Sequence, residues 1–330
     1  MTEPQDRSFF APSATWPRLE LRGRLLVRLR AFFADRGFLE VETPLLSAEV
    51  VIDRHLDPLP VDLSGGADAS PLGGRAWLQT SPEAHMKRLM ACGAEAIYQV
   101  TRSFRGGEQG RLHNPEFTIV EWYRRDDSMA DGMQLLSDLC DALLDRGPAE
   151  RLSYRQAFLR YAEIDPFTAE TAQLAGLATA AGVAAPAGLG DDHNGWLDLL
   201  RVNLVEPRLG AERPVILYDW PASQAALAAV RDDDPPVAER FELYVDGIEL
   251  ANGYHELTDA SELKWRGEQA NEARRADGKP QLPDPARLLA AMEHGLPACT
   301  GVALGFDRLV MLAAGADSIE EVTAFPSDRA

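Results

Sequence analysis

The segment Arg102–Tyr123 reads RSFRGGEQGRLHNPEFTIVEWY, and the reading of the whole chain starts from it. Ahead of it, AIYQV over residues 96–100 alternates small or polar with β-branched and aromatic residues, the pattern of a half-buried strand. At its far end EFTIVEWY alternates again: Phe117, Ile119 and Glu121 share one expected face, Thr118, Val120 and Trp122 the other. Between the strands lies a loop with Gly106, Gly107 and Gly110, the cations Arg105 and Arg111, His113, and an Asn114-Pro115 turn. Any one of these suits a solvated hairpin. Together they describe an anion-binding lip, because a guanidinium fork matches phosphate oxygens and glycines admit them close to the backbone.

The chain has 330 residues, 45% hydrophobic and 26% charged, which is an ordinary globular balance with ample length for a large core. No run approaches ~18 uninterrupted apolar residues, so no membrane span is expected. The N-terminus, MTEPQDRSFF, lacks a basic-then-apolar signal pattern, and a cytoplasmic protein is expected. Cys92, Cys140 and Cys299 have no metal-ligand spacing and read as reduced, buried small residues. The net charge of −19, from 33 basic against 52 acidic residues, disfavours a general nucleic-acid surface. The one basic stripe, with Arg18, Arg22, Arg24, Arg28 and Arg30, reads as a solvated helix face.

Along the chain, residues 1–16 read as a loose arm. A helix is expected over Leu19–Arg36, with Leu21, Leu25, Leu29, Phe32 and Phe33 at helical spacing and Gly37 ending it. FLEVETPLL then reads as a strand, and residues 53–75 as loop or hairpin. WLQTSPEAHMKRLMACG gives a short strand and a helix with Ser81 as N-cap, Pro82 at the first helical position and Glu83 beside the helix dipole. Residues 126–221 shift in composition and hold helices over Met129–Leu144 and Ser153–Tyr161. Chemistry returns in RFELYVDGIELANGYHELTDA, residues 240–260, an alternating strand pair about Asp246-Gly247. Its Glu242, Glu249 and Glu256 recur every seven residues, an oxygen-only set suited to Mg²⁺ held by few carboxylates plus phosphates. GVALGFDRLVMLAAG, residues 301–315, closes with a strand, a turn at Gly305 and an apolar helix carrying Arg308.

These motifs, in this order, resemble the catalytic domain of class II aminoacyl-tRNA synthetases, the lysyl-tRNA synthetases in particular. FRGGEQGRLHNPEFTIVEWY is similar to motif 2, the helix–Gly–strand before it to motif 1, and GVALGFDR to motif 3. The resemblance implies an α+β fold: an antiparallel sheet flanked by helices, with a helical insertion over residues 126–221, one catalytic domain over 1–330, and a homodimer through motif 1. It implies that Arg105 holds the ATP α-phosphate, that His113 and Arg308 reach the γ-phosphate, and that Phe117 stacks on adenine. Gly106, Gly107, Asn114, Leu250 and Gly305 border the nucleotide, while Glu242 and Glu249 hold Mg²⁺–ATP. Ser81, Pro82, Glu83, Glu121, Tyr123, Asn252, Tyr254, Glu256 and Ala303 then surround the amino acid. One departure stands out: the family's Arg-x-Glu has Gly107 in the third position, with Glu108 one later. Either the loop shifts register or the adenine contact comes from the backbone.

The implied chemistry is attack of a carboxylate on the α-phosphorus of ATP, with Arg105 and Arg308 as the catalytic cations. Carboxylates at Glu83, Glu121 and Glu256 with the Tyr123 phenol suit a diamino acid, because buried carboxylates need cationic partners. Motif 1 begins near residue 19, which leaves no room for an anticodon-binding domain of about a hundred residues. That pattern resembles the truncated lysyl-synthetase paralogues that ligate (R)-β-lysine to translation elongation factor P. Ala303, where lysyl enzymes have Gly, narrows the α-amine pocket in keeping with a β-amino substrate. Two alternatives stay open: a minimal enzyme passing lysine to tRNA, and a non-catalytic ATP-binding regulator.

Overall fold

The computed structural model describes residues 10–64 and 74–330. The first part of the expected N-terminal arm and the middle of the expected loop over residues 53–75 lie outside them. In chain order the elements are α1 (Trp16–Ala34), β1 (Leu39–Glu40), β2 (Leu46–Ser47), β3 (Pro60–Asp62), β4 (Arg75–Leu78), α2 (Glu83–Ala91), β5 (Ala96–Phe104) and β6 (Glu116–Arg125). There follow α3 (Met129–Leu144), β7 (Glu150–Ser153), α4 (Tyr154–Tyr161), α5 (Thr171–Ala180), α6 (His193–Leu200), β8 (Val215–Pro221) and β9 (Val230–Arg231). The chain ends with β10 (Val237–Val245), β11 (Ile248–His255), α7 (Ala260–Ala276), α8 (Ala286–Gly295), β12 (Cys299–Gly305) and α9 (Phe306–Ala313).

A large sheet runs in the order β1-β5-β6-β12-β11-β10-β8-β7, with β9 paired to β10. Only the outer pairs β1/β5 and β7/β8 are parallel; the central strands are antiparallel, as expected for an α+β fold of this type. One face of it carries the main core. Val120, Trp122, Val302 and Leu304 from the strands meet Leu29 and Phe33 of α1, Leu136 and Leu139 of α3, and Leu309 of α9. Helix α1 follows its sequence pattern: Leu25, Leu29, Phe32 and Phe33 are buried one helical face apart. Each such side chain contributes about 1.5–3 kcal/mol on burial. Phe33 also stacks on Tyr98 at 4.4 Å, which locks the helix to β5.

Three local expectations change. Helix α2 starts one residue later than read, with Pro82 in the N-cap position and Glu83 first in the helix. Ser81 Oγ still accepts from the Glu83 N–H at 3.0 Å, but as a turn residue ahead of the helix. The segment 126–221 is not wholly helical, since β7 and β8 extend the main sheet and hold the insertion's own core, with Tyr154, Phe158, Leu200 and Trp220 buried together. Cys92 is exposed at the end of α2, while Cys140 and Cys299 are buried. No described helix is long and apolar enough to cross a membrane.

Candidate active site

Strand register decides which side chains meet on the other face of the sheet. Across it, Gln99, Glu121, Ala303, Asn252 and Glu242 form one continuous row from β5, β6, β12, β11 and β10. The next row holds Tyr123, Gly301, Tyr254 and Arg240. Opposed residues in antiparallel strands project to the same face, so these two rows floor a single cleft. The cleft measures about 1490 Å³, room for a nucleotide and an amino acid together. Every residue expected at the site lines it except Pro82, Gly106, Gly107 and Glu242.

Strict alternation would put Glu249 on the opposite face from Glu256, because seven is an odd number of steps along β11. A β-bulge resolves this: Leu243 pairs with Ala251 but Tyr244 with Glu249, so Leu250 is skipped in the ladder. Leu250 points into the core at 1% exposure while its neighbour Glu249 turns to the cleft.

At the nucleotide end, Arg308 is held by three contacts. It donates to the Leu112 carbonyl at 3.2 Å, to the Glu249 carbonyl at 2.8 Å and to His113 Nε2 at 2.7 Å. His113 therefore accepts on Nε2 and carries its proton on Nδ1. Partial burial and then the Arg308 charge hold its pKa below the ordinary imidazole value, so it lines the cleft as a neutral imidazole. Arg105 lies over the Phe117 ring at 4.9 Å, and its Nε is 3.5 Å from the Thr80 carbonyl, too long to engage it firmly. Its guanidinium is thus presented to the cleft.

The glycines divide. Gly106 N–H donates to the Asp57 carbonyl at 2.7 Å, so this amide is engaged by the protein and not offered to phosphate. A Cβ there would stand 3.2 Å from that same oxygen, which explains the glycine by backbone packing. Gly107 has φ +78 and forms the turn. Asn114 bonds the Glu116 carbonyl and accepts from the Ser327 N–H, tying the C-terminal segment to the loop. Glu108 lines the cleft.

Glu242 and Glu249 were expected to hold Mg²⁺. Glu242 is 2% exposed, and its two oxygens accept from Arg240 and from the Tyr244 hydroxyl, each at 2.5 Å. Glu249 opens to the cleft, with Oε2 3.8 Å from Arg308. Burial, then the Glu242 charge, raises the Glu249 pKa, the condition a divalent cation relieves. Among the described residues no group of three His, Cys, Asp or Glu could hold a metal alone. The donor set fits an ion that takes few carboxylates and completes its shell with phosphate oxygens and water.

At the amino-acid end, Glu121, Tyr123 and Glu256 are 1%, 3% and 2% exposed. Ser81 Oγ donates to Glu121 Oε1 at 2.5 Å, and the Tyr123 hydroxyl reaches Glu121 Oε2 at 3.4 Å. Burial, then the Glu83 charge, pushes Glu121 up to about 8. Asn252 donates to the Tyr254 hydroxyl at 3.1 Å. Three buried acceptor atoms here have no hydrogen-bond partner, Asn252 Oδ1 and both oxygens of Glu256. A pocket of unpartnered acceptors calls for a ligand made of donors.

Sequence reasoning passed over two groups. Lys87 sits beneath Glu83 and Glu256, 2.6 Å from each; its only signal was the Glu–Lys spacing of one helical turn on α2. Asp307, next to Arg308, accepts from the Thr118 N–H at 2.8 Å and pairs with Arg22 at 2.6 Å. Arg22 also donates to the Thr118 hydroxyl at 2.7 Å. One member of the supposed solvated stripe is in fact a half-buried bolt joining α1, β6 and α9. The stripe's Arg18 pairs with Glu321, and Arg28 donates to the Ala142 carbonyl.

The family model of class II tRNA synthetases (D, K and N) matches residues 13–329. The chain belongs to that family. The match takes in all three motif-like segments and the insertion between them. Membership brings ATP-dependent activation of an amino acid as the type of chemistry, and the α+β sheet as its frame.

Proposed function

We propose that this protein activates a diamino acid, (R)-β-lysine first among them, as an aminoacyl-adenylate and ligates it to a lysine side chain of translation elongation factor P. The observation that carries the substrate class is the amino-acid end of the cleft. Glu83, Glu121 and Glu256 surround it, and the buried Glu256 Oε1 and Asn252 Oδ1 await donors. A molecule with two ammonium groups supplies them.

In the first step a carboxylate oxygen of the amino acid attacks the α-phosphorus. A P–O bond forms, the bond to the β-phosphate breaks, and pyrophosphate leaves. Arg105 faces the α-phosphate, while Arg308 and the Nδ1–H of His113 face the leaving end. Arg308 and His113 are fixed before the substrate arrives, which favours electrostatic stabilisation of the leaving end with little reorganisation. Glu249, with Glu242 behind it, would hold Mg²⁺, which would supply charge neutralisation on the phosphates. In the second step the neutral amine of an acceptor lysine attacks the acyl carbon, AMP departs and the amine gives up a proton.

One observation favours a protein amine over tRNA as acceptor, and a second favours a β-amino substrate. The cleft lining also carries Asp53, Asp192, Asp259, Glu262 and Asp284 against Arg54, Lys264 and Arg266, with Asp192 and Glu262 paired to Arg54 and Arg266; the acidic excess favours an ammonium group over a polyanion. Ala303 stands in the row between Glu121 and Asn252, where its methyl takes up α-amine space. The reading also carries a homodimer through α1, whose outward side exposes Trp16 and Val27, and a cytoplasmic location.

ATP–pyrophosphate exchange with (R)-β-lysine and with L-α-lysine, followed by transfer to elongation factor P or to lysine tRNA, tests the reading. Exchange that prefers β-lysine, with label on the protein, is the expected result. Label on tRNA makes the chain a minimal synthetase, and no exchange with any diamino acid makes it an ATP-binding regulator.

A further inference from the structure

Lys87 is 2% exposed, on the inner side of α2. Its Nζ lies 2.6 Å from Glu83 Oε1 and 2.6 Å from Glu256 Oε2. It reaches one oxygen of each carboxylate, yet both Glu256 oxygens are buried without a hydrogen-bond partner, Oε2 beside Lys87 and, farther from it, Oε1. That oxygen is also fixed from behind, since a Cβ on Gly301 would fall 2.1 Å from it. Three carboxyl groups share this one ammonium, and ammonium groups on a ligand would complete the set.

We propose that Lys87 is a built-in cation that sets the charge of the amino-acid pocket and aims the free oxygens of Glu83 and Glu256 at the ligand, which makes it a positioning residue that determines specificity. This rests on the amine-binding reading above. Lys87 touches no group assigned to the nucleotide, so its influence falls on amino-acid binding. Around Glu256 stand Glu83 and Lys87 from α2, Tyr123 from β6, Tyr254 near the end of β11 and Cys299 from β12, with Glu121 beside Tyr123. Lys87 is the cation that touches Glu256, while Arg240 acts on Tyr254 and Arg105 on Glu121. Without Lys87, the like charges drive a proton onto the carboxylates, and that proton must leave before an ammonium group binds.

The test compares wild type, Lys87→Met and Lys87→Arg in ATP–pyrophosphate exchange with diamino acids as a function of pH. Lys87→Met raises KM for the amino acid about tenfold near neutral pH, the equivalent of one unit of carboxylate pKa, with kcat little changed. The KM gap closes as pH rises, and Lys87→Arg restores the wild-type profile. Unchanged KM and an unmoved pH profile overturn the proposal.

Urea unfolding of the free protein gives a readout that needs no activity. Lys87→Met leaves buried carboxylates with raised folded-state pKa, so its stability deficit grows from about pH 5.5 to about pH 8.5. Equal deficits at both overturn the assignment. If the single variant does not fold, Lys87→Met/Glu256→Gln removes one charge of each sign and regains stability; failure to regain it counts against the proposal. A wild type silent with every diamino acid sinks the proposed activity, and the unfolding series then decides the role of Lys87 by itself.

Discussion

Ala303 on β12 and Glu121 on β6 are register partners in adjacent antiparallel strands, and their side chains rise from the same face of the sheet. The Ala303 methyl therefore stands beside the carboxylate that Ser81 holds at 2.5 Å. Asn252 flanks Ala303 on the other side. On the proposed function, this methyl stands where α- and β-amino substrates would differ.

Ala303→Gly is expected to shift the ratio of kcat/KM toward L-α-lysine by about tenfold or more, the usual discrimination by one methyl group. Pyrophosphate exchange with the two isomers measures it. An unaltered ratio would remove Ala303 from the account of selectivity.

Gly301 is the neighbouring position in the same strand, and it has no room for a side chain. A Cβ would meet Glu256 Oε1 at 2.1 Å and Tyr123 Cε1 at 2.3 Å. Gly301→Ala should cost about 1–3 kcal/mol of stability in urea unfolding and weaken amino-acid binding while leaving ATP binding intact. Wild-type affinity for the amino acid by calorimetry would show that the Glu256 and Tyr123 positions do not matter.

Glu249 is the carboxylate of the proposed metal pair that opens to the cleft. Glu249→Gln should lower exchange by about 10²–10³, the scale for loss of one preorganised electrostatic group, and raise the Mg²⁺ concentration needed for half-maximal rate. A wild-type Mg²⁺ titration would separate Glu249 from the nucleotide.

The pocket carboxylates also give stability a pH dependence. Burial first, with neighbouring charge, lifts Glu121 to about 8 and Glu256 to about 7, against an ordinary value of 4.5. Between 4.5 and about 8 the folded state holds protons that the unfolded chain has released, so stability falls as pH rises through that window. A diamino acid replaces those protons with its ammonium groups. Its thermal stabilisation should accordingly be larger at about pH 8 than at about pH 6. An increment independent of pH in thermal-shift measurements would mean that these carboxylates are not the ligand's partners.

The Arg22–Asp307 pair predicts a further, purely structural effect. Removing one partner leaves a charge stranded at 8% side-chain exposure in Asp307. Arg22→Met should cost about 3–5 kcal/mol in urea unfolding. A loss within the range of surface substitutions would return Arg22 to the solvated face.

Much of this molecule is legible in its sequence because local signals there are unambiguous. Alternation over residues 96–100 and 116–123 marks both strands of the central hairpin, which run on to 104 and 125, and Met129–Leu144 is the expected helix to the residue. Asp246 and Gly247, with φ of 51° and 73°, form the expected turn between β10 and β11. Arg105, Phe117, His113 and Arg308 line one cleft. The offset at Ser81 arises because proline fixes the backbone of the N-cap position itself.

Residue order alone determined which chemical groups this protein carries and which strands and helices carry them. Only the tertiary structure decided their partners. The bulge at Leu250 turns Glu249 to the cleft, the Asp57 carbonyl claims the Gly106 amide, and Lys87 neutralises part of a pocket that looked purely acidic. Each of these is a contact between segments far apart in the chain or a one-residue change of register. Periodicity and propensity act over a few neighbouring residues, whereas charge pairing and sheet register are settled by whichever side chains the completed core brings within hydrogen-bond reach.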